Sequence, residues 1–344
     1  MNQNAMTRML IENLADRYIS KIQFDPHRSI RKLVDLGECL SKGDVQKQFF
    51  QAVQKLLEKE NNPYYALVQR VISQFDAAAI KTIGMNLSLN SWSALAGRKS
   101  REAAPPWTLM FEMKSAPNAL NLDELTALLR KSAETGIHTF LFWLDRSYDK
   151  LDALTARLKE FSDCAVALFT PADMIDKSAL GQVRQARNLL LSVEDTASID
   201  TENAADALRS LRCPFALHTV YNTPTDAENI LCGRWLDRVS RLFSPFAFFF
   251  PGAECSEENH MAVREYARRL RTAPQHPVFS MSLCDDVADV DELITGKPRL
   301  LRIGPDGTID AGSRLLRISS GVQPANKIAL SDMLQQYTSP LPTI

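Results

Sequence analysis

Hydrophobic positions recur at helical spacing over roughly the first 100 residues of the chain. Apolar side chains three and four residues apart indicate amphipathic helices whose apolar faces pack in a core. Asn61-Asn62-Pro63 predicts the end of one helix and the start of another, which runs toward Phe75 with Pro63 in its first turn. A polar segment at 97–102, followed by Pro105-Pro106, predicts a boundary near residue 104.

From Trp107 onward, short apolar runs alternate with amphipathic helical patterns. The runs cover 108–113, 138–144, 164–170, 189–194, 215–221, 247–250 and 278–283. They start 30, 26, 25, 26, 32 and 31 residues apart, the length of one strand–helix unit, with predicted helices such as 122–135 and 150–161 between them. Continuously apolar strands indicate a parallel sheet buried on both faces. Repeated units without a glycine-rich first turn favour a full or partial barrel over a doubly wound sheet.

The end of the chain predicts a β-hairpin, because Leu300-Leu301-Arg302-Ile303 and Thr308-Ile309 flank Pro305-Asp306-Gly307. The predicted fold class is α/β: a partial (β/α)6 TIM-like barrel with an all-helical N-terminal extension and a C-terminal β-hairpin. We expect three regions, namely a helical region at 1–104, the barrel at 105–290, and the C-terminal hairpin and tail at 291–344.

The charge is nearly balanced, with 40 Lys and Arg against 41 Asp and Glu. This balance excludes proteins that bind nucleic acid by neutralising phosphates and polybasic proteins of membrane surfaces. The longest apolar stretch, 243–250, is too short to cross a bilayer, and the N-terminus has no basic-then-apolar leader. We therefore expect a soluble cytoplasmic protein with neither a nucleic-acid nor a membrane partner.

Six cysteines are scattered along the chain, and no two are closer than 19 residues. They are Cys39, Cys164, Cys213, Cys232, Cys255 and Cys284. The close pairs that build zinc and iron–sulfur sites are absent from the sequence. The spacing predicts reduced thiols, mostly buried as small hydrophobic side chains, and no metal site.

Candidate site residues follow the predicted strands, because active sites of barrels lie at the carboxyl ends of the strands. The candidates are Glu112, Lys114, Asp145, Arg146 and Glu194. Carboxylates at separate strand ends can serve as acid and base or hold a cation, whereas the alternative role of a strand-end Asp is to cap the next helix. His218 lies inside a strand and is interpreted as a hydrogen-bonded core residue. His138 opens the second strand, where a structural role is expected. These residues alone predict an architecture but no reaction.

The first predicted strand resembles that of the radical S-adenosylmethionine (SAM) superfamily. Residues 105–116 read Pro-Pro-Trp-Thr-Leu-Met-Phe-Glu-Met-Lys-Ser-Ala, similar to the pattern iPW-x-(I/L)-x-(L/M)-x-P-T. In active relatives a Cys-x-x-x-Cys-x-x-Cys loop follows, whose thiolates hold a [4Fe–4S] cluster that binds SAM. Here Pro117-Asn118-Ala119-Leu120 leads directly to Asn121-Leu122-Asp123-Glu124-Leu125, which resembles the start of the family's first helix. The three cysteines and most of their loop are missing.

The resemblance continues along the later strands, from about residue 62 to 335, with the same kind of loss. The second strand ends Trp143-Leu144-Asp145-Arg146-Ser147, where the family has a Gly-Gly-Glu-Pro motif that contacts the methionyl amine. The third strand reads Phe169-Thr170-Pro171-Ala172-Asp173-Met174-Ile175-Asp176 and is similar to F-T-N-G-T-x-I-D. The fourth, 188–195, resembles N-x-x-x-S-I-E-G, with Asp195 in place of the glycine. The resemblance lies in this ordered series rather than in any one motif.

The resemblance implies a partial barrel of the radical SAM type without the family's cofactor chemistry. The degenerate cofactor positions are Pro117, Asn118, Asp145 and Asp195, so we expect no bound cofactor. The first functional hypothesis is a pseudoenzyme without a [4Fe–4S] cluster, acting as a partner or scaffold subunit for an active radical SAM paralogue or for a peptide substrate. The alternative is a repurposed, cluster-independent enzyme with a polar site at the carboxyl ends of the strands. Binding of SAM without a cluster ranks last.

Overall fold

The computed structural model describes residues 3–41, 44–92, 104–310 and 327–338. It begins with α1 (Gln3–Lys21), α2 (Pro26–Cys39), α3 (Asp44–Leu56), α4 (Pro63–Gln74), α5 (Ala77–Met85) and a π-helix (Asn86–Trp92). Asn62 caps α4 by accepting a hydrogen bond from a backbone N–H of the first turn, and Pro63 begins the helix as predicted. None of the helices in the described ranges combines the length and apolar character that a bilayer span requires.

Strands and helices then alternate along the chain. In order they are β1 (Thr108–Met113), α6 (Leu122–Glu134), β2 (Thr139–Leu144), α7 (Leu151–Leu158), β3 (Ala165–Thr170), a 3₁₀ turn (Ala172–Met174), α8 (Lys177–Gln185), β4 (Leu189–Glu194), α9 (Ile199–Ser210), β5 (Phe215–Tyr221), α10 (Pro224–Leu231), α11 (Arg234–Arg241), β6 (Phe246–Pro251), α12 (Glu257–Thr272), β7 (Phe279–Ser282), α13 (Leu283–Thr295), β8 (Leu301–Ile303), β9 (Thr308–Asp310), β10 (Lys327–Ala329) and α14 (Leu330–Thr338). The seven predicted strands are confirmed, with ends within one residue of the predicted ones.

The strands form a single sheet in the order β10-β9-β8-β1-β2-β3-β4-β5-β6-β7. Each strand from β1 to β7 is parallel to the next. Strand β8 pairs with β1 in parallel. Strand β9 pairs with β8 in antiparallel orientation, which confirms the predicted hairpin. Among the described strands β7 pairs only with β6, so the sheet remains open and the barrel is partial. The predicted fold class is confirmed.

The two faces of the sheet carry separate clusters of buried side chains, because successive residues of a strand point to opposite faces. On the outer face Phe111, Phe142 and Leu191 pack with the surrounding helices. The inner face carries a second cluster, whose strand members include Met110, Leu141, Phe169, Ala216, Phe248 and Phe250. Leu283 and Val287 of α13 join this inner cluster. Burial on both faces explains why the strands read as continuous apolar runs.

The helical region contacts the amino-terminal ends of the strands. The backbone N–H of Asp76 donates to the carbonyl of Arg212 (2.8 Å), just before β5. The hydroxyl of Tyr64 donates to the carbonyl of Arg271 (2.8 Å), near the end of α12. Phe75 packs edge-on against the first residue of β5, with ring centroids 5.7 Å apart. We call this end of the barrel the bottom, and the end formed by the strands' carboxyl termini the mouth.

Candidate functional site

The connection from β1 to α6 lies at the mouth and is short. The N–H of Leu120 donates to the carbonyl of Pro305 (2.8 Å), which ties the connection to the β8–β9 hairpin. Asn121 then caps α6 in a capping box with Glu124, as the sequence pattern at that point favours. Three residues predicted as site or degenerate cofactor positions are solvent-exposed here: Lys114, Pro117 and Asn118.

Asp145, directly after β2, is also exposed and forms a local turn. Its carboxylate accepts a hydrogen bond from the backbone N–H of Ser147 (2.9 Å). Hydrogen bonds from the side chain and the backbone of Ser147 lower the pKa of Asp145. The side chain of Ser147 in turn accepts from the N–H of Ser115 (3.3 Å) in the β1–α6 connection. Asp145 therefore joins two mouth connections through its turn.

Arg146 bridges two carboxylates from the next two strand ends. One guanidinium nitrogen lies 2.8 and 2.7 Å from the two carboxylate oxygens of Asp173, and the other lies 3.2 Å from Glu194. Burial raises the pKa of Glu194, and the charge of Arg146 opposes that rise. We call Arg146, Asp173 and Glu194 the rim triad. It links the ends of β2, β3 and β4 by charge-assisted hydrogen bonds.

Glu112 pairs with a different arginine. It lies on β1 opposite Trp143 of β2 and forms an ion pair with Arg302, which comes from β8 on the other side of β1. The exposed fractions of the two side chains are 18% for Glu112 and 10% for Arg302, so the pair is largely withdrawn from water. Sequence reasoning missed Arg302, since nothing in the pattern shows that the hairpin pairs with β1.

The five candidates thus divide into three groups. The structure brings Arg146 and Glu194 together, joins Glu112 to Arg302, and leaves Lys114 and Asp145 exposed. Arg146 also lines a cavity of about 290 Å³ between the β2–α7 and β3–α8 connections, and none of the other four candidates lines that cavity.

An aromatic cluster fills the inner face between these ion pairs. Trp143, Phe169, His218 and Phe250 contact one another with ring centroids between 5.0 and 6.1 Å apart. Nδ1 of His218 lies 3.0 Å from the hydroxyl of Ser192, and burial lowers the pKa of His218 to about 3. The prediction of a hydrogen-bonded core histidine is confirmed.

Asp195, directly after β4, is part of a buried ion pair. Its side chain is 1% exposed. Its carboxylate accepts from Nε1 of Trp235 and Nε of Arg238, each at 3.0 Å, and from the N–H of Ala197 at 3.0 Å. Arg238 also donates to Glu202 (3.0 Å). These contacts fasten α11 to the end of β4.

The thiols lie at both ends of the barrel. Cys255 and Cys284 are buried after β6 and β7 at the mouth, whereas Cys164 and Cys213 are buried just before β3 and β5 at the bottom. Cys39 and Cys232 are exposed, and none of the six described cysteines forms a disulfide.

Within the described part of the chain, His138, Asp163 and Cys164 form a group of three ligating side chains at the bottom. Sequence reasoning missed this group. The signal was present, because the residues that precede two neighbouring parallel strands are themselves neighbours.

No protein-family model and no curated protein matches this sequence. Solved structures of SuiB from Streptococcus suis share its fold. SuiB bound to S-adenosylmethionine matches with a TM-score of 0.51 and 15% identity over 69% of this chain and 64% of that chain. SuiB bound to the precursor peptide SuiA matches with a TM-score of 0.52 and 13% identity over 82% and 71%. A further SuiB structure matches with a TM-score of 0.50 and 14% identity over 90% and 81%. The fold is thus of the radical SAM type, and identities this low establish the fold alone.

Proposed function

We propose that this chain is a cytoplasmic radical-SAM-like pseudoenzyme that works without a [4Fe–4S] cluster. In this role it is a partner or scaffold subunit for an active radical SAM enzyme or for that enzyme's peptide substrate. The observation that carries the proposal is the β1–α6 connection, residues 114–121, which contains no cysteine. In the superfamily that this chain resembles, the thiolates of this connection hold the cluster.

The remaining thiols do not fit a replacement cluster of that type. Three thiolates at close spacing are needed to hold three irons. Cys255 and Cys284 are buried at the mouth, but they follow the sixth and seventh strands, and the β1 end supplies no third thiol. Cys164 and Cys213 lie at the bottom, the end of the barrel opposite the mouth. The donor set therefore disfavours a cluster at the mouth.

The pairing of the mouth residues weighs against the alternative of a repurposed enzyme. A general acid or base must reach a proton on the substrate. Glu112 is engaged by Arg302, and Glu194 by Arg146, which also holds Asp173. These ion pairs join strand ends to one another, which is a stabilising role for the same side chains.

Half-buried apolar side chains on the inner face support a polypeptide partner. Trp143, Leu190 and Val220 belong to or pack against the inner cluster and are only half-buried. Aromatic and aliphatic side chains beside a charged rim are typical of protein recognition sites. SuiB, which shares the fold, has been solved with its precursor peptide SuiA, so a fold of this kind accommodates a peptide in that protein.

Anaerobic reconstitution with iron and sulfide tests the absence of a cluster. We expect the purified chain to show neither the visible absorption of a [4Fe–4S] cluster nor its EPR signal after reduction. An active radical SAM enzyme carried through the same procedure is the positive control. A stoichiometric cluster signal that is lost in Cys255→Ser or Cys284→Ser would refute the pseudoenzyme assignment and locate the cluster at the mouth.

Two binding measurements complete the test. Isothermal titration with SAM is expected to release no heat, and saturable heat would instead support the third hypothesis, cofactor binding without a cluster. Analytical ultracentrifugation of the chain with an active radical SAM enzyme from the same genome is expected to reveal a complex. Trp143→Ala, which removes an aromatic side chain of the inner face, is expected to weaken that complex. Phe24→Ala, which changes a distant exposed phenylalanine, is the matched control and is expected to leave it intact.

A further inference from the structure

Three metal-ligating side chains converge at the bottom of the barrel. His138 stands just before β2, and Asp163 and Cys164 stand just before β3. The strands pair Thr139 with Ala165, so the residues before them are side by side, and the N–H of Ala165 donates to the carbonyl of His138 (2.8 Å).

Each of the three side chains contributes one ligand atom, and these atoms lie within 4.8 Å of one another. Sγ of Cys164 lies 3.7 Å from Nδ1 of His138 and 3.7 Å from a carboxylate oxygen of Asp163. The same Nδ1 lies 3.8 Å from the second carboxylate oxygen. Tetrahedral zinc with bonds of about 2.0 to 2.3 Å holds neighbouring ligand atoms about 3.3 to 3.6 Å apart. Side-chain rotations that shorten these separations to that range would therefore bring the three atoms onto one ion.

The segment that carries two of these ligands is held from the helical region. The side-chain amide of Asn86 donates to the carbonyls of Ser162 (3.0 Å) and Cys164 (2.9 Å). The side-chain amide of Asn90 donates to the carbonyl of Asp163 (2.9 Å). Fixed backbone positions reduce the reorganisation that a metal would otherwise impose. The π-helix thus presents the ligand segment in a defined conformation.

We propose that His138, Asp163 and Cys164 bind one Zn²⁺ ion, with water as the fourth ligand. Nitrogen, oxygen and sulfur donors in one tetrahedral set suit zinc, a borderline-soft cation. The side chain of Asp163 is 57% exposed, which gives the fourth position access to water. The site lies opposite the mouth, and its role is to join β2 and β3 beneath the helical region.

Cobalt binding tests the site directly, because Co²⁺ replaces zinc and absorbs when a thiolate is its ligand. The exposed thiols are first removed as Cys39→Ser and Cys232→Ser, so that only buried cysteines remain. In this background we expect one equivalent of Co²⁺ to give a thiolate-to-cobalt charge-transfer band that Zn²⁺ abolishes. Cys164→Ser is expected to eliminate the band, and His138→Gln is expected to weaken cobalt binding at least tenfold.

Cys213→Ser is the matched control, because Cys213 is likewise buried just before a strand at the bottom. It is expected to keep the full band. If Cys164→Ser fails to fold, Asp163→Asn decides, since that side chain is largely exposed and its replacement spares the core. The absence of a charge-transfer band in the background protein would overturn the proposal and leave a hydrogen-bonded cluster only. Equal binding in wild type, His138→Gln and Asp163→Asn would overturn it as well.

Discussion

The buried histidine of the inner face makes the stability of this protein sensitive to mild acid. His218 is 1% exposed and is surrounded by Trp143, Phe169 and Phe250, with the hydroxyl of Ser192 as its hydrogen-bond partner. Burial lowers its pKa to about 3 in the folded protein, whereas an unfolded chain has a histidine pKa of about 6.5. Between these two pH values, His218 is protonated in the unfolded chain and neutral in the folded protein.

The sign and the size of the effect follow from this difference. The contribution of His218 to stability is complete above pH 6.5 and is lost as the pH falls toward 3. Within that window each pH unit lowers the free energy of unfolding by up to about 1.4 kcal/mol. Between pH 7.5 and pH 5 the expected loss from this one group is about 2 kcal/mol.

Urea unfolding at pH 7.5 and pH 5, followed by tryptophan fluorescence, measures the loss. His218→Gln is the comparison, because glutamine offers a partner to Ser192 and does not titrate. Other groups also change protonation with pH, among them His138, whose pKa burial lowers, and Glu194, whose pKa burial raises. These groups are present in both proteins and cancel in the difference. An equal loss of stability in wild type and His218→Gln would refute the reasoning.

Three further substitutions test the contacts that hold the fold. Asp195→Asn is expected to cost about 2 to 4 kcal/mol in urea unfolding, because it leaves the guanidinium of Arg238 partly buried with a weaker partner; a loss below about 1 kcal/mol would contradict this. Asn86→Ala is expected to cost about 1 to 3 kcal/mol, because it leaves the buried carbonyl of Cys164 and the partly buried carbonyl of Ser162 without this donor, and an unchanged melting temperature would count against that role. Gly252→Ala is expected to lower the melting temperature, because a methyl group would overlap the side chain of Asn222, whereas Gly181→Ala, which meets open space, is expected not to.

Most of the framework could be predicted from the sequence because its signals are local. A strand buried on both faces appears in the sequence as an unbroken apolar run. The runs at 108–113, 189–194 and 215–221 match β1, β4 and β5 residue for residue. Gly136 follows α6 with a φ of +96°, in the left-handed region that favours glycine after a helix. These features depend on neighbours along the chain, and the chain therefore reveals them.

The partners of the charged residues could not be predicted, because they come from distant segments. Arg302 reaches Glu112 from a strand whose place beside β1 depends on how the whole sheet is arranged. Arg238 pairs with Asp195 from α11, which comes after β5 along the chain. The sequence contains each charged residue but not the sheet order that pairs them. For this reason the candidates at the strand ends were identified, while their engagement in ion pairs was not.

The buried pair at Asp195 shows how one strand-end carboxylate determines the packing of a neighbouring helix. A buried carboxylate without a partner would cost several kcal/mol, so a buried aspartate at the end of β4 requires compensating donors. Trp235 and Arg238 supply those donors from one face of α11. Replacing Asp195 with glycine would then leave Arg238 with Glu202 alone and an indole N–H without an acceptor. The end of β4 and the packing of α11 are thus coupled, so a substitution at Asp195 is expected to disturb both.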